Sequence, residues 1–157
     1  NSLEYCLIHQ NYYNEYSAIG MPLYRFVQDL YYMLKTILYI GAGSFAGGIM
    51  RYLLTRAIQH YSTSAFPLGT MIVNITGCFL IGILYGLFER NFINSTDLRL
   101  FLTVGVCGGF TTFSTFVHDN YTLFNDRNIA YMILYSMLSL GLGLLFAHWG
   151  HVLIKAE

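Results

Sequence analysis

Apolar residues gather into four long runs, over about 34–54, 66–88, 98–124 and 129–154. Each meets the requirement of a membrane helix, about 20 mainly apolar residues to cover roughly 30 Å of hydrocarbon at about 1.5 Å per residue. Polar links at 59–65, 89–97 and 125–128 separate the runs and are short enough to force consecutive helices antiparallel. Tyr61, Tyr121, Tyr131 and Trp149 fall near the ends of the runs, where aromatic belts meet the headgroups. The pattern predicts an all-α, multi-pass membrane protein with four transmembrane helices.

Residues 1–32 follow another pattern. They are polar and tyrosine-rich up to Gly20, after which Leu23, Phe26, Val27, Leu30 and Leu34 recur at helical spacing, with Arg25, Gln28 and Asp29 between them. The stretch reads as an N-terminal extension, either an interfacial amphipathic helix or a non-native leader, ahead of a four-helix unit over 33–157 with Met33 as its candidate start. It lacks the apolar core of a secretory signal.

Composition narrows the class further. Of 157 residues, 55% are hydrophobic and 10% charged, against about 25% charged in soluble domains. The formal net charge is zero, which removes any electrostatic case for nucleic acid. Cys6, Cys78 and Cys107 lack metal-ligand spacing, and the latter two fall inside apolar spans as reduced thiols. Lys35, Arg90, Arg99 and Lys155 fall on one side, and Arg56 and Arg127 on the other with Arg51 near a helix end, so charge orients the chain only weakly. Gly43/Gly47 and Gly82/Gly86 are GxxxG pairs that let helices approach closely in lipid. Four helices enclose little volume, which favours an oligomer.

The third run contains Gly108-Gly109-Phe110-Thr111-Thr112-Phe113-Ser114-Thr115-Phe116. Two glycines and four hydroxyls make a poor membrane helix, and irregular backbone survives at membrane depth only where protein buries it or a cavity wets it. The third helix is therefore expected to be interrupted by a binding or permeation element. Phe113 and Phe116 share a helix face with Ser114 and Thr115 between them; phenyl edges beside hydroxyl donors suit a small dehydrated anion as well as a plain packing stripe. Asn74 lies mid-span with Thr70 four residues earlier on the same face, either as pathway donors or as interhelical bonds. Arg51 reads as an interfacial anchor or as an attractor of anions to a mouth, and Asp119 as the end of the third span. Tyr135 and Ser139, four apart, offer donors to the same pathway, whereas Ser136 is equally suited to bonding its own helix. His118, His148 and His151 resemble interfacial histidines.

Taken together, the 108–116 motif, Gly69-Thr70-Met71-Ile72-Val73-Asn74 and Gly47-x-x-x-Arg51 resemble the Fluc (CrcB) fluoride-channel family over 33–157, in the same order on the same four spans. The resemblance implies a passive, selective exporter of cytoplasmic fluoride in the cell inner (plasma) membrane, built as an antiparallel, dual-topology homodimer with two pores. It implies that Phe113 and Phe116 line each pore, with Asn74 as an amide, Thr70, Ser114, Thr115 and Ser139 as a hydroxyl track, and Tyr135 as a phenol. Arg51 falls at the vestibule and Asp119 at the pore end, where the family commonly has Glu. A structural sodium ion at the dimer interface is implied on the backbone carbonyls of Gly108 and Thr111.

No catalytic constellation or nucleotide-binding loop occurs, so the chain reads as a non-enzyme; Ser114 lacks a histidine partner at matching depth for an intramembrane hydrolase. The rival readings are a small proton-coupled multidrug transporter and a non-conducting scaffold. The former depends on a carboxylate buried in its first span, where this chain has Arg51 and no acid.

Overall fold

The computed structural model describes residues 2–61, 64 and 66–155, with side chains described from residue 22 onward. Helix α1 is Ser2–Tyr61 and α2 is Leu68–Glu89. The third span is composite: α3 Thr96–Leu100, a π-helical stretch Phe101–Cys107, a single turn α4 Gly108–Phe110, and α5 Phe113–Asn125. Helix α6, Ile129–Lys155, closes the chain. Among the described residues, four helices are long and apolar enough to cross a membrane, over Pro22–Tyr61, Leu68–Glu89, Thr96–Asn125 and Ile129–Lys155.

The first helix extends well past both ends of its apolar run: the helical spacing from Leu23 continues to Tyr61 without a proline or turn signal, and towards the N-terminus the helix runs on through Pro22. The chain divides into two compact units, Asn1–Ile37 and Leu38–Glu157. In the first unit, Leu23, Phe26, Val27 and Leu34 are exposed. The expectation for 1–32 falls partly on residues 1–21, which lie outside the described side chains, as does Cys6.

Within the second unit, glycines decide which helices touch. A Cβ on Gly43 would stand 2.5 Å from Phe101 O and 2.8 Å from Gly105 Cα, and one on Gly109 would stand 2.8 Å from Ser44 Cα. So α1 lies backbone to backbone against the front half of the third span. The contacts advance together along both helices, so the pair is parallel. Helices α2 and α6 repeat the device: Gly82 faces Ala147, Gly86 faces Ile154, and Gly150 faces Phe79 and Ile83. In lipid, where burial offers no hydrophobic drive between helices, such close approach supplies the dispersion contacts that hold the bundle.

One end of this unit is tied by polar groups. Glu89 pairs with His151 at 3.1 Å, and Arg90 Nη2 donates to Lys155 O at 3.1 Å. Arg99 donates to Ile93 O at 2.8 Å and stacks 4.8 Å over the Phe88 ring. Cys78 and Cys107 are free thiols.

A leucine at position 150 has nowhere to go, since the atoms in its path include the Ile83 amide nitrogen, 3.0 Å from the new Cβ. Gly150→Leu is expected to destabilise the fold by about 1–3 kcal/mol. Gly141→Ala, with no heavy atom within 4 Å of its Cβ, is expected to leave stability unchanged or slightly raised. Detergent-titrated unfolding of both variants checks the contrast.

Candidate functional site

The third span breaks at two residues. Thr111 (φ −82°, ψ 158°) and Thr112 (φ −149°, ψ 115°) are extended, and helix geometry resumes at Phe113. The π-helical stretch before the break already loosens the helical ladder. What holds the extended pair is Asn74 on α2. Its Oδ1 accepts from Thr112 N at 2.8 Å, and its Nδ2 donates to Thr112 O at 3.1 Å. One side-chain amide thus satisfies both backbone polar groups of a residue that no helix serves.

Thr112 then caps the new helix. Its Oγ1 accepts from Thr115 N at 3.2 Å and also meets Ser114 Oγ at 3.2 Å and Thr115 Oγ1 at 3.0 Å. Among the candidates read from sequence, Thr112 was not singled out. Its signal was a hydroxyl three residues ahead of Thr115 at the head of a helical run, the N-cap pattern. The start of α5, with the open donors of its first turn and the positive end of its dipole, stands where the span breaks.

The break borders a cavity of about 400 Å³. Asn74, Thr112, Phe113, Phe116 and Ser139 contribute to its wall, together with Gly108 and Thr111. Ser139 Oγ is the one buried side-chain oxygen or nitrogen among the described residues without a hydrogen-bond partner. Phe113 is 74% exposed, and its ring lies 5.8 Å from that of Phe116.

A second cavity of about 210 Å³ has Gln59, Ser64, Thr70 and Asp119 in its wall. Tyr135, fully buried, stands between the two. Its ring packs 5.1 Å from Phe116 on the wall of the larger cavity, and its hydroxyl donates to Asp119 Oδ2 at 3.2 Å on the wall of the smaller. The Phe66 ring meets Tyr135 edge-on at 5.7 Å. Thr70, Asn74, Phe113, Phe116, Asp119 and Ser139 therefore lie on the walls of the two cavities, whereas Ser114 and Thr115 belong to neither wall and meet Thr112 Oγ1. Arg51 stands apart, half-buried on α1 and outside the walls of both cavities. Ser136, open to bonding its own helix by sequence, instead donates to Asn120 Oδ1 at 2.8 Å.

The carbonyls of Gly108 and Thr111 have lost the donors a continuous helix would give them. Those N–H groups belong to Thr112 and Thr115 and go to Asn74 Oδ1 and Thr112 Oγ1. Gly108 keeps helical dihedrals and Thr111 is extended, and two hard carbonyl oxygens beside such a break are a donor set that fits a sodium ion.

Residues 38–151 match the family described as CrcB-like protein, Camphor Resistance (CrcB). The chain belongs to this family. The CrcB-like chain is similar to the fluoride-specific ion channel FluC of Flavobacterium psychrophilum, 42% identical over 124 residues that cover 79% of this chain and 99% of the relative. It is 46% identical over 112 residues to the protein of the same name from Phocaeicola vulgatus, covering 71% and 92%. For the FluC of Chlorobaculum tepidum the identity is 42% over 123 residues, covering 78% and 97%. With four spans and this membership, the CrcB-like chain is a multi-pass membrane protein.

Replacing Asn74 by leucine strands both polar groups of the Thr112 peptide. Asn74→Leu is expected to lower unfolding stability by about 1–3 kcal/mol for each group. Asn74→Asp keeps the acceptor and loses the donor, and is expected to fall between leucine and wild type in the same titration.

Proposed function

We propose that this CrcB-like chain is a passive channel, not an enzyme, that carries fluoride out of the cytoplasm across the cell inner (plasma) membrane. The observation that carries the reading is the broken third span, whose capped N-terminus, hydroxyls and paired phenylalanines border one cavity. Relatives named fluoride-specific ion channels, similar over almost their whole length, support it.

Fluoride is small and strongly hydrated, so a path for it must replace water with close donors. Hydroxyls of Ser114, Thr115, Thr70 and Ser139 and the second N–H of the Asn74 amide supply these donors along the way, and the Tyr135 phenol, whose proton goes to Asp119, stands at the pore side. The edges of Phe113 and Phe116 add weak positive potential without a full charge, so the ion is held and also released. Asp119 occupies the far end of the track, and Arg51 attracts anions toward a vestibule. Hydrogen fluoride enters cells neutral and dissociates inside. An inside-negative potential then drives the anion outward with about 2.3 kcal/mol per charge per 100 mV. No energy-coupled step is needed.

The working unit in this proposal is an antiparallel, dual-topology homodimer with two pores. Support comes from the exposed Phe113, which leaves its cavity open on one side, and from the nearly even spread of Lys and Arg between the two membrane faces. A structural sodium on the Gly108 and Thr111 carbonyls of both subunits belongs to the same proposal, where it fixes the two breaks to each other by neutralising converging dipoles.

Fluoride efflux from proteoliposomes, followed with a fluoride electrode, tests the reading. Wild type is expected to release fluoride rapidly and retain chloride, and Phe113→Ile to suppress the release by an order of magnitude or more, about 1.4 kcal/mol in barrier height. Absence of efflux from folded wild-type protein removes the channel reading and returns the chain to a scaffold role.

A further inference from the structure

Asn120 follows Asp119 on α5, and Ser136 follows Tyr135 on α6. Both ends of the Asn120 side chain are engaged: Nδ2 donates to Phe116 O at 2.9 Å, and Oδ1 accepts from Ser136 Oγ at 2.8 Å. The neighbouring rung runs from the Tyr135 hydroxyl to Asp119 Oδ2 at 3.2 Å. Two adjacent hydrogen bonds therefore join α5 to α6 beside the Phe116–Tyr135 ring contact of 5.1 Å.

Elsewhere α5 meets α6 far more sparsely than α2 does, so few other contacts fix its rotation. A single bond to Asp119 leaves α5 able to pivot about that point. The second rung removes the pivot, and it grips the carbonyl of the residue whose ring faces the larger cavity. If that rung is lost, the Ser136 hydroxyl has its own helix carbonyl one turn back as an alternative acceptor. Asn120 belongs to the wall of neither cavity.

We infer that Asn120, braced by Ser136, is a positioning residue for ion passage: it sets the Phe116 ring against the Tyr135 phenol without touching the ion. The inference rests on the fluoride-channel reading above for its functional consequence, though not for its geometry.

The test combines unitary fluoride flux, normalised to the number of active channels, with ¹⁹F NMR of para-fluorophenylalanine placed at Phe116 in the full chain in bilayer nanodiscs. Asn120→Ala and Ser136→Ala are each expected to slow unitary flux about threefold, the factor equivalent to an average interhelical hydrogen bond in a membrane. The double variant is expected to be no slower than the slower single one, because both remove one rung. Ser136→Thr keeps a hydroxyl and is expected to retain the wild-type rate. The Phe116 resonance is expected to move in both alanine variants and to stay in place in Ser136→Thr. An unmoved resonance overturns the inference, as do additive losses, or a loss confined to the number of folded channels with the unitary rate unchanged. If wild type itself passes no fluoride, the channel reading fails, and the Phe116 resonance still decides the positioning claim.

Discussion

The two hydrogen bonds between the Asn74 amide and the Thr112 peptide hold the rest of the site in place. A helix at membrane depth is stable because its backbone serves itself, and any break exposes groups that lipid cannot satisfy. Asn74 brings the missing partners from another helix, and so ties the position of the break to α2. From that anchor, Thr112 caps α5, the α5 axis aims Phe113 and Phe116, and Phe116 meets Tyr135. The same diversion of the Thr112 and Thr115 amides strips the Gly108 and Thr111 carbonyls of helical donors. One side-chain amide thus gives rise to oriented donors on one side of the break and free acceptors on the other.

Around this anchor the bundle is built from two parallel pairs, α1 with the front half of the third span and α2 with α6. Both pairs rest on glycine, so their backbones touch and have little room to slide. Helix α5 belongs to neither pair. Beyond the break it is held by Asn74 through its cap and by the side-chain bonds to α6. Rigid parallel pairs and a more lightly held α5 place the adjustable part of the structure beside the aromatic wall.

Much of this was legible in the sequence. The four apolar runs, the break forecast from Gly108 to Phe116, and the GxxxG pairs all depend on local composition or spacing, which a linear reading captures. Less legible were features that depend on how helices rotate against each other. Asn74 was visible as a costly polar residue, yet its partner lies 38 residues away in an extended turn. Asn120 and Ser136 look like ordinary polar residues near a span end until their helices are seen to face each other. Helix α1 outran its apolar run, continuing through Pro22 on one side and to Tyr61 on the other, because hydropathy alone marks lipid, not helix ends. The π-helical stretch over Phe101–Cys107 carries no residue signature that a linear reading detects.

Ser139 carries a consequence of a different kind. Its hydroxyl is buried and has no protein partner, in a wall it shares with the Asn74 amide, threonine side chains, phenyl rings and thiols. A hydroxyl left dry in such a place is unfavourable, whereas a water of even modest order relieves it. Ser139 thus keeps its hydroxyl for an occupant of the cavity, while the hydroxyls of Thr103, Thr111 and Thr112 are engaged within the protein.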